Sequence, residues 1–329
     1  MHRWFRYVAA GVLALFVLFG ITGALYQTVY AARDRAANPM PGQLVDIGGY
    51  RLHIYCAGQG SPTVIFDAGL GDSYMSWRKV QPQIARLTKV CSYDRAGLGY
   101  SDSSPRARTS KTIAEELHML LRSAAIPAPY VLVGHSMGGF DVRLYASAYR
   151  GDVAGLVLVD SSHPEQQKRL PAAVNDLDAG WVREQEFFEL AMPFGIARVL
   201  GFCGEDAEVR AAECNFHSVR ESVKELKSVS ESAAQAATAG SLGDIPLAVL
   251  SSDPDRPQLD LPEDLVKPTN EAWQQMQNEL AQLSSRSTHT VVKNSGHYIQ
   301  LDQPGAVIEA IKKVVGQVRE AQPISAPQR

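Results

Sequence analysis

A short run near the middle of the chain, residues 131–139, constrains the fold most strongly and reads VLVGHSMGG. An apolar segment typical of a buried strand leads into the run, and residues 140–149 have the composition of a helix. Gly134 and Gly138, two positions before and after Ser136, permit a turn that side chains would crowd. The pattern predicts a strand, a sharp turn and a helix, with the Ser136 hydroxyl exposed at the tip as a candidate nucleophile.

Four further segments share the order and spacing of a known family. They are Pro62–Gly71, a strand followed by Ala68-Gly69; Val90–Asp102, which contains Asp94-Arg95 and two glycines; Gly155–Asp160, an apolar strand; and Asn294–His297, a Gly-His before the last helix. With the serine turn, they resemble the α/β-hydrolase family over residues 43–318. The resemblance implies an α/β-hydrolase fold, in which a mostly parallel eight-stranded sheet has the order 1-2-4-3-5-6-7-8, helices on both faces and an inserted helical cap.

The chain divides by composition into seven parts. We expect a short basic start at 1–6, a membrane or signal segment at 7–30, a polar linker at 31–42, the first part of the core at 43–163, the cap at 164–243, the second part of the core at 244–320 and a tail at 321–329.

The N-terminal segment carries no charge from Val8 to Tyr30, which is long enough for a membrane-spanning helix. Arg3 and Arg6 precede it and favour an inside N-terminus, although Arg33 and Arg35 weaken the contrast. The apolar run exceeds a typical signal core, so an uncleaved membrane anchor is favoured over a cleaved signal peptide. An uncleaved anchor predicts a membrane-bound enzyme with its catalytic domain outside the cytoplasm. A cleaved signal peptide predicts a secreted or periplasmic enzyme.

Residues 164–241 lack a strand-like run and contain helix-forming stretches at 181–190 and 219–237. This is where the family inserts a cap, which covers the nucleophile and lines the substrate pocket. The helices could instead dock on a membrane, but several acidic residues argue against a basic membrane-binding face, namely Glu184, Glu186, Glu189 and Glu205.

The four cysteines suit an exported chain. The strand order implied by the resemblance sets Cys56 on strand two beside Cys91 on strand four, so these two could form a disulfide. Cys203 and Cys214 lie close in sequence within the cap and form a second candidate pair. Buried free thiols are the alternative for both pairs.

The resemblance assigns Ser136 as nucleophile and His297, last in chain order, as the base. It implies an oxyanion hole made by the backbone N–H groups of Leu70 and Met137. Many relatives carry His-Gly where this chain has Ala68-Gly69. We therefore expect the contacts that support the oxyanion hole to differ from those in such relatives.

The acid of the triad has two candidates. Asp160 ends the buried strand 156–159, where a carboxylate is costly unless it is paired, and Asp255 lies in the loop after strand seven, where most of the family place the acid. Asp160 is favoured over Asp255.

Asp94 and Arg95 are expected to support the site structurally through an ion pair or hydrogen-bonded clamp. His135 is expected to point away from the site.

These residues predict a serine hydrolase of esters, and of amides as a further option, acting on a small or lipid-like molecule through an acyl-enzyme on Ser136. A cofactor-free perhydrolase and a silent binding protein of the same fold are the alternatives. No cofactor or metal is expected, because metal-ligand and phosphate-binding motifs are absent from the sequence. The net charge of −3 and the lack of a basic stripe argue against nucleic acid as a partner.

Overall fold

A computed structural model describes residues 2–256 and 261–321. Eight strands form one sheet in the order β1-β2-β4-β3-β5-β6-β7-β8, which confirms the predicted topology. The β1–β2 and β2–β4 pairs are antiparallel and the others are parallel. The strands are β1 Gln43–Asp46, β2 Arg51–Ala57, β3 Thr63–Asp67, β4 Val90–Tyr93, β5 Tyr130–His135, β6 Val153–Val159, β7 Leu247–Ser251 and β8 Ser287–Val291.

The helices lie before, between and after these strands. They are α1 His2–Ala37, α2 Gln81–Ile84, α3 Ser110–Ser123, α4 Gly138–Ala148, α5 Gln166–Arg169, α6 Ala172–Ala191, α7 Ile196–Val199, α8 Ala207–Glu213, α9 Phe216–Lys227, α10 Val229–Ala237, α11 Glu263–Ala281, α12 Ile299–Asp302 and α13 Pro304–Ala321. The predicted helix 219–237 is divided at Ser228 into α9 and α10.

The hydrophobic core lies on both faces of the sheet, because alternate residues of a strand point to opposite sides. Leu132 and Leu158 pack with Leu117 of α3 on one face. Val133 of β5 packs with Ile311 of α13 on the other. The central strands are therefore buried on both sides, as a parallel sheet between two helical layers requires.

Helix α1 continues to Ala37, so residues 31–37 of the predicted linker are helical and the non-helical connection is shorter. Among the described residues, α1 is the one helix long and apolar enough to cross a membrane. Its second half packs against the cap helices: Gln27 Nε2 donates to the carbonyl of Cys214 at 3.1 Å, and Asp34 pairs with Arg198 at 2.6 Å.

Both candidate cysteine pairs are bonded in the structure. Cys56 and Cys91 face each other in the antiparallel register of β2 and β4. The bond between Cys203 and Cys214 connects the segment after α7 to the end of α8, so it closes the part of the cap that contacts α1.

Candidate active site

Ser136 stands at the turn between β5 and α4 with a φ of +51°, an uncommon conformation for a residue with a side chain. The two glycines explain how the turn closes. A Cβ on Gly134 would lie 2.5 Å from the carbonyl oxygen of Gly138, and one on Gly138 would lie 2.6 Å from that of Ala68. The Ser136 N–H donates to the carbonyl of Val159 at 3.2 Å, so the turn is tied to the end of β6.

Asp160 follows β6 directly and is fully buried. Its Oδ2 lies 2.7 Å from Nδ1 of His297. Its Oδ1 accepts hydrogen bonds from the Ser252 N–H at 2.8 Å and from the indole N–H of Trp273 at 2.9 Å. Three donors around one carboxylate offset the cost of burying it and fix the plane of the imidazole.

Asp255, the other candidate acid, lies elsewhere. Its side chain is 82% exposed and its Oδ2 pairs with Nζ of Lys293 at 2.8 Å. The same lysine contacts Asp253, whose carboxylate also accepts from the backbone N–H of Asn294. Of the two candidates, Asp160 is the one within hydrogen-bond distance of the histidine.

The predicted oxyanion donors are the N–H group of Leu70, in the loop after β3, and that of Met137, directly after Ser136. Within the described part of the chain, no group accepts a hydrogen bond from either N–H. Arg95 holds the loop that carries Leu70: its Nη1 donates to the carbonyl of Ala68 at 2.6 Å, and its Nη2 donates to that of Gly69. This guanidinium supports the loop in a chain that lacks the family's histidine.

Arg95 also connects the core to the cap. It donates from Nε and Nη2 to the two carboxylate oxygens of Glu225 in α9, each at 2.8 Å. Glu225 in turn accepts from the N–H of Gly71 at 3.0 Å. Burial raises the pKa of Asp67, a further partner of the guanidinium, to about 6 although Arg95 acts in the opposite direction.

Asp94 and Arg95 do not pair with each other. Asp94 shares a 2.7 Å hydrogen bond with Nδ1 of His53 and accepts from the N–H groups of Tyr74 and Tyr100. Asp94 and Arg95 therefore belong to two separate hydrogen-bond networks. The network around Arg95 is the one that reaches the candidate oxyanion loop.

His135 does not point away from the site, so that expectation is wrong. Its ring centroid lies 4.7 Å from that of His297, and its Nε2 lies 3.0 Å from the His297 carbonyl oxygen. The loop after β3 packs on its other side, where a Cβ on Gly69 would come within 2.8 Å of Nδ1. Burial and the neighbouring His297 hold the pKa of His135 well below its ordinary value.

A cavity of about 220 Å³ adjoins the candidate oxyanion loop. It lies between the cap helices α6 and α9 and the core, and its lining includes Leu70, Gly71, Trp181, Ser222, Leu226 and Tyr298. A larger cavity of about 380 Å³ lies near the end of α1 and is lined by tyrosines, but none of the candidate catalytic residues lines it.

Several residues of the site had no motif to identify them. Trp273 and Glu225 lie in helices that look ordinary in sequence, and Ser252 contributes a backbone donor. Asp67 could have been identified from the sequence, because it is the last residue of the buried strand β3. Asp160 has a similar place, directly after the buried strand β6.

One group of possible metal ligands lies among the described residues: His163, Glu165 and Glu279. Arg169 already pairs with Glu279 at 2.6 Å, so a cation there would meet a guanidinium. Because Arg169 pairs with these acidic residues, the group forms an ion-pair network.

The family model "Alpha/beta hydrolase family" matches residues 64–310, which is 247 of the 329 residues. The uncharacterized protein YqjL of Bacillus subtilis is 28% identical over 257 residues, 78% of this chain and 85% of that protein. An uncharacterized vacuolar membrane protein of Saccharomyces cerevisiae, YNL115C, is 30% identical over 153 residues, which are 39% of this chain and 24% of that protein.

A solved structure of a thermophilic esterase from Thermogutta terrifontis superimposes with a TM-score of 0.58 at 21% identity, covering 82% of this chain and 94% of the other. At that identity the likeness shows the fold alone. Helix α1 of this chain has the length and composition of a membrane-spanning helix. The family match covers most of the chain and the sheet has the family's strand order, so this chain belongs to the alpha/beta hydrolase family and is a hydrolase.

Proposed function

We propose that the protein is a serine hydrolase that cleaves carboxylic esters through an acyl-enzyme on Ser136. The observation that carries the proposal is the 2.7 Å contact between Asp160 and Nδ1 of His297, in a chain whose serine stands at a strained strand-to-helix turn. This contact fixes the imidazole tautomer that leaves the other ring nitrogen free to act as a base.

The chemistry assigned to these residues follows ordinary acyl transfer. His297 takes the proton of the Ser136 hydroxyl as its oxygen attacks the ester carbonyl, and the N–H groups of Leu70 and Met137 receive the oxyanion. The histidine then gives the proton to the leaving alkoxide. A water molecule, deprotonated by the same histidine, attacks the acyl-enzyme, releases the carboxylic acid and restores the serine.

The cavity beside Leu70 supports a small or lipid-like substrate. Its volume of about 220 Å³ is below that of a typical drug-sized pocket, and its lining combines the apolar Trp181 and Leu226 with the polar Asp72, Gln185 and Ser222. An acyl chain of modest length, or one end of a longer chain, fits against the two apolar side chains.

A fluorophosphonate probe tests the nucleophile. The wild-type protein should form a covalent adduct on the peptide that contains Ser136, and Ser136→Ala should lose it. Ser162→Ala is a matched control, because Ser162 lies beside the turn and donates its N–H to the Ser136 carbonyl but has no assigned chemistry. Labelling that persists in Ser136→Ala would reject the proposal.

We further propose that α1 is an uncleaved membrane anchor and that the catalytic domain lies outside the cytoplasm. Arg3 and Arg6 before the apolar run favour an inside N-terminus. Two disulfides suit an oxidising compartment. A membrane-impermeant protease added to intact cells should digest the domain, whereas protection until the cells are lysed would contradict this topology.

A further inference from the structure

Helix α1 and the cap approach each other closely near Gly20 and Gly23 of α1. A Cβ on Gly23 would lie 2.3 Å from the carbonyl oxygen of Phe194, and one on Gly20 would lie 3.5 Å from the Phe194 ring. From the other side, a Cβ on Gly195 would lie 3.1 Å from the carbonyl of Gly23. Phe194 is therefore level with residues 20–23 of α1.

The length of α1 places this level relative to a bilayer. The uncharged run begins at Tyr7, directly after Arg6, and Tyr7 to Gly23 is 17 residues, or about 25 Å of helix. A hydrocarbon core is about 30 Å thick and needs about 20 residues. If α1 spans the membrane, the hydrocarbon extends roughly to Gln27, where α1 makes its hydrogen bond to Cys214. The cap at Phe194 then lies within the leaflet.

The cap surface at this place is apolar. Six large side chains between 44% and 73% exposed form what we call the cap patch: Phe187, Leu190, Phe194, Val199, Leu200 and Phe202. Such a concentration of exposed apolar side chains marks an interaction surface. Phe202 is fixed against Phe188 of α6 with ring centroids 4.6 Å apart, which joins the two ends of the patch.

Two charged side chains near the cap patch are paired. Arg198, between the apolar residues of α7, has a side chain only 7% exposed and forms its ion pair with Asp34 of α1. Glu186 pairs with Lys227 at 2.8 Å. The acidic residues of α6 argue against a basic membrane-binding face, but an apolar face attached to an anchor needs no basic residues.

We propose that the cap patch is embedded in the bilayer leaflet on the side of the catalytic domain, in contact with lipid acyl chains beside α1. The inference rests on the proposed anchor, because α1 sets the depth of the cap. Trp181, which lines the cavity beside Leu70, lies six residues before Phe187 on α6, about 9 Å along the helix. The cavity therefore lies about 9 Å along α6 from the first residue of the cap patch.

The test uses the full chain in phosphatidylcholine nanodiscs with an environment-sensitive fluorophore on an introduced cysteine. All four native cysteines are in disulfides, so the introduced thiol is the reactive one. Leu200→Cys reports on the cap patch, and Phe187→Cys is a second reporter if the first fails to fold. Val291→Cys is the matched control, since Val291 is also exposed and apolar but lies on the edge strand β8.

A label at residue 200 should emit at shorter wavelength than one at residue 291 and should be quenched at least threefold more by phosphatidylcholine spin-labelled near the top of its acyl chain. Equal quenching at the two positions, whether strong or weak, would overturn the proposal, as would recovery of the chain without α1. Neither readout needs catalysis, so fluorophosphonate labelling of the same samples separates this result from a failure of the proposed hydrolase chemistry.

Discussion

Arg95 and Glu225 form a buried bidentate ion pair, with both nitrogen–oxygen distances 2.8 Å. The pair joins the turn after β4 to the cap helix α9. Because the same guanidinium also binds the carbonyls of Ala68 and Gly69, the position of the cap is coupled to the loop that carries the proposed oxyanion donor of Leu70.

The variant Glu225→Gln should therefore affect both stability and activity. Removing one of the carboxylates that pair with the buried guanidinium costs about 3 kcal/mol, and we expect at least a tenfold loss of kcat/KM as the loop loosens. Thermal unfolding and ester hydrolysis measure the two effects. Glu231→Gln on the exposed face of α10 is the control and should match wild type, whereas an active, stable Glu225→Gln would show that the pair does not position the loop.

The choice of acid gives a second prediction. Asp160→Asn should lower kcat by about 10⁴, because an amide cannot stabilise the imidazolium and favours the wrong tautomer. Asp255→Asn should change kcat less than threefold, since that side chain is 82% exposed and paired with Lys293. Steady-state kinetics on a p-nitrophenyl ester decides between them, and a large loss in Asp255→Asn alone would move the acid to the loop after β7.

Glu213 predicts a pH dependence of stability. Burial, reinforced by the negative charge of Asp72, raises the pKa of Glu213 from 4.5 to about 7, while the hydrogen bonds from Ser73 act in the opposite direction. Between these two pKa values the unfolded chain releases its proton before the folded one does. Stability is therefore lost as the pH rises from about 4.5 to about 7 and is not regained above it.

Glu213→Gln should remove this loss. Relative to wild type, the variant should gain about 2 kcal/mol of stability between pH 5 and pH 8. Unfolding in detergent solution, followed by circular dichroism at both pH values, measures the difference. If the difference in unfolding free energy between wild type and variant were the same at both pH values, that result would contradict the raised pKa of Glu213.

The anchor predicts how the protein fractionates. The full-length chain should remain with the membranes after carbonate extraction and dissolve in detergent, because the uncharged run of α1 exceeds the length of a bilayer span. Mass spectrometry of the N-terminus completes the measurement. A soluble form beginning near Arg33 would instead identify a cleaved signal peptide.

The serine turn could be predicted from a local pattern, an apolar strand with a glycine pair around Ser136. The sheet order followed from the resemblance to the α/β-hydrolase family that this turn and the other motifs carry. The sequence also favoured Asp160 on physical grounds, since a carboxylate that follows a buried strand needs a partner. The structure places it beside His297.

Contacts between distant segments were not predictable in this way. Trp273 reaches Asp160 across 113 positions and Glu225 reaches Arg95 across 130, and neither has a local pattern. The orientation of His135 was predicted wrongly because the packing of the loop after β3, which covers its ring, depends on the assembled fold. The docking of α1 on the cap was missed for the same reason.

In the proposed mechanism, Ser136 carries the acyl group of the substrate during turnover. A p-nitrophenyl ester mixed with the protein and quenched in acid within milliseconds should leave an acyl adduct on the tryptic peptide that contains Ser136, with a burst of p-nitrophenol close to one equivalent. Continued ester hydrolysis by Ser136→Ala at more than about a hundredth of the wild-type kcat, with no adduct on this peptide in wild type, would contradict nucleophilic catalysis by Ser136.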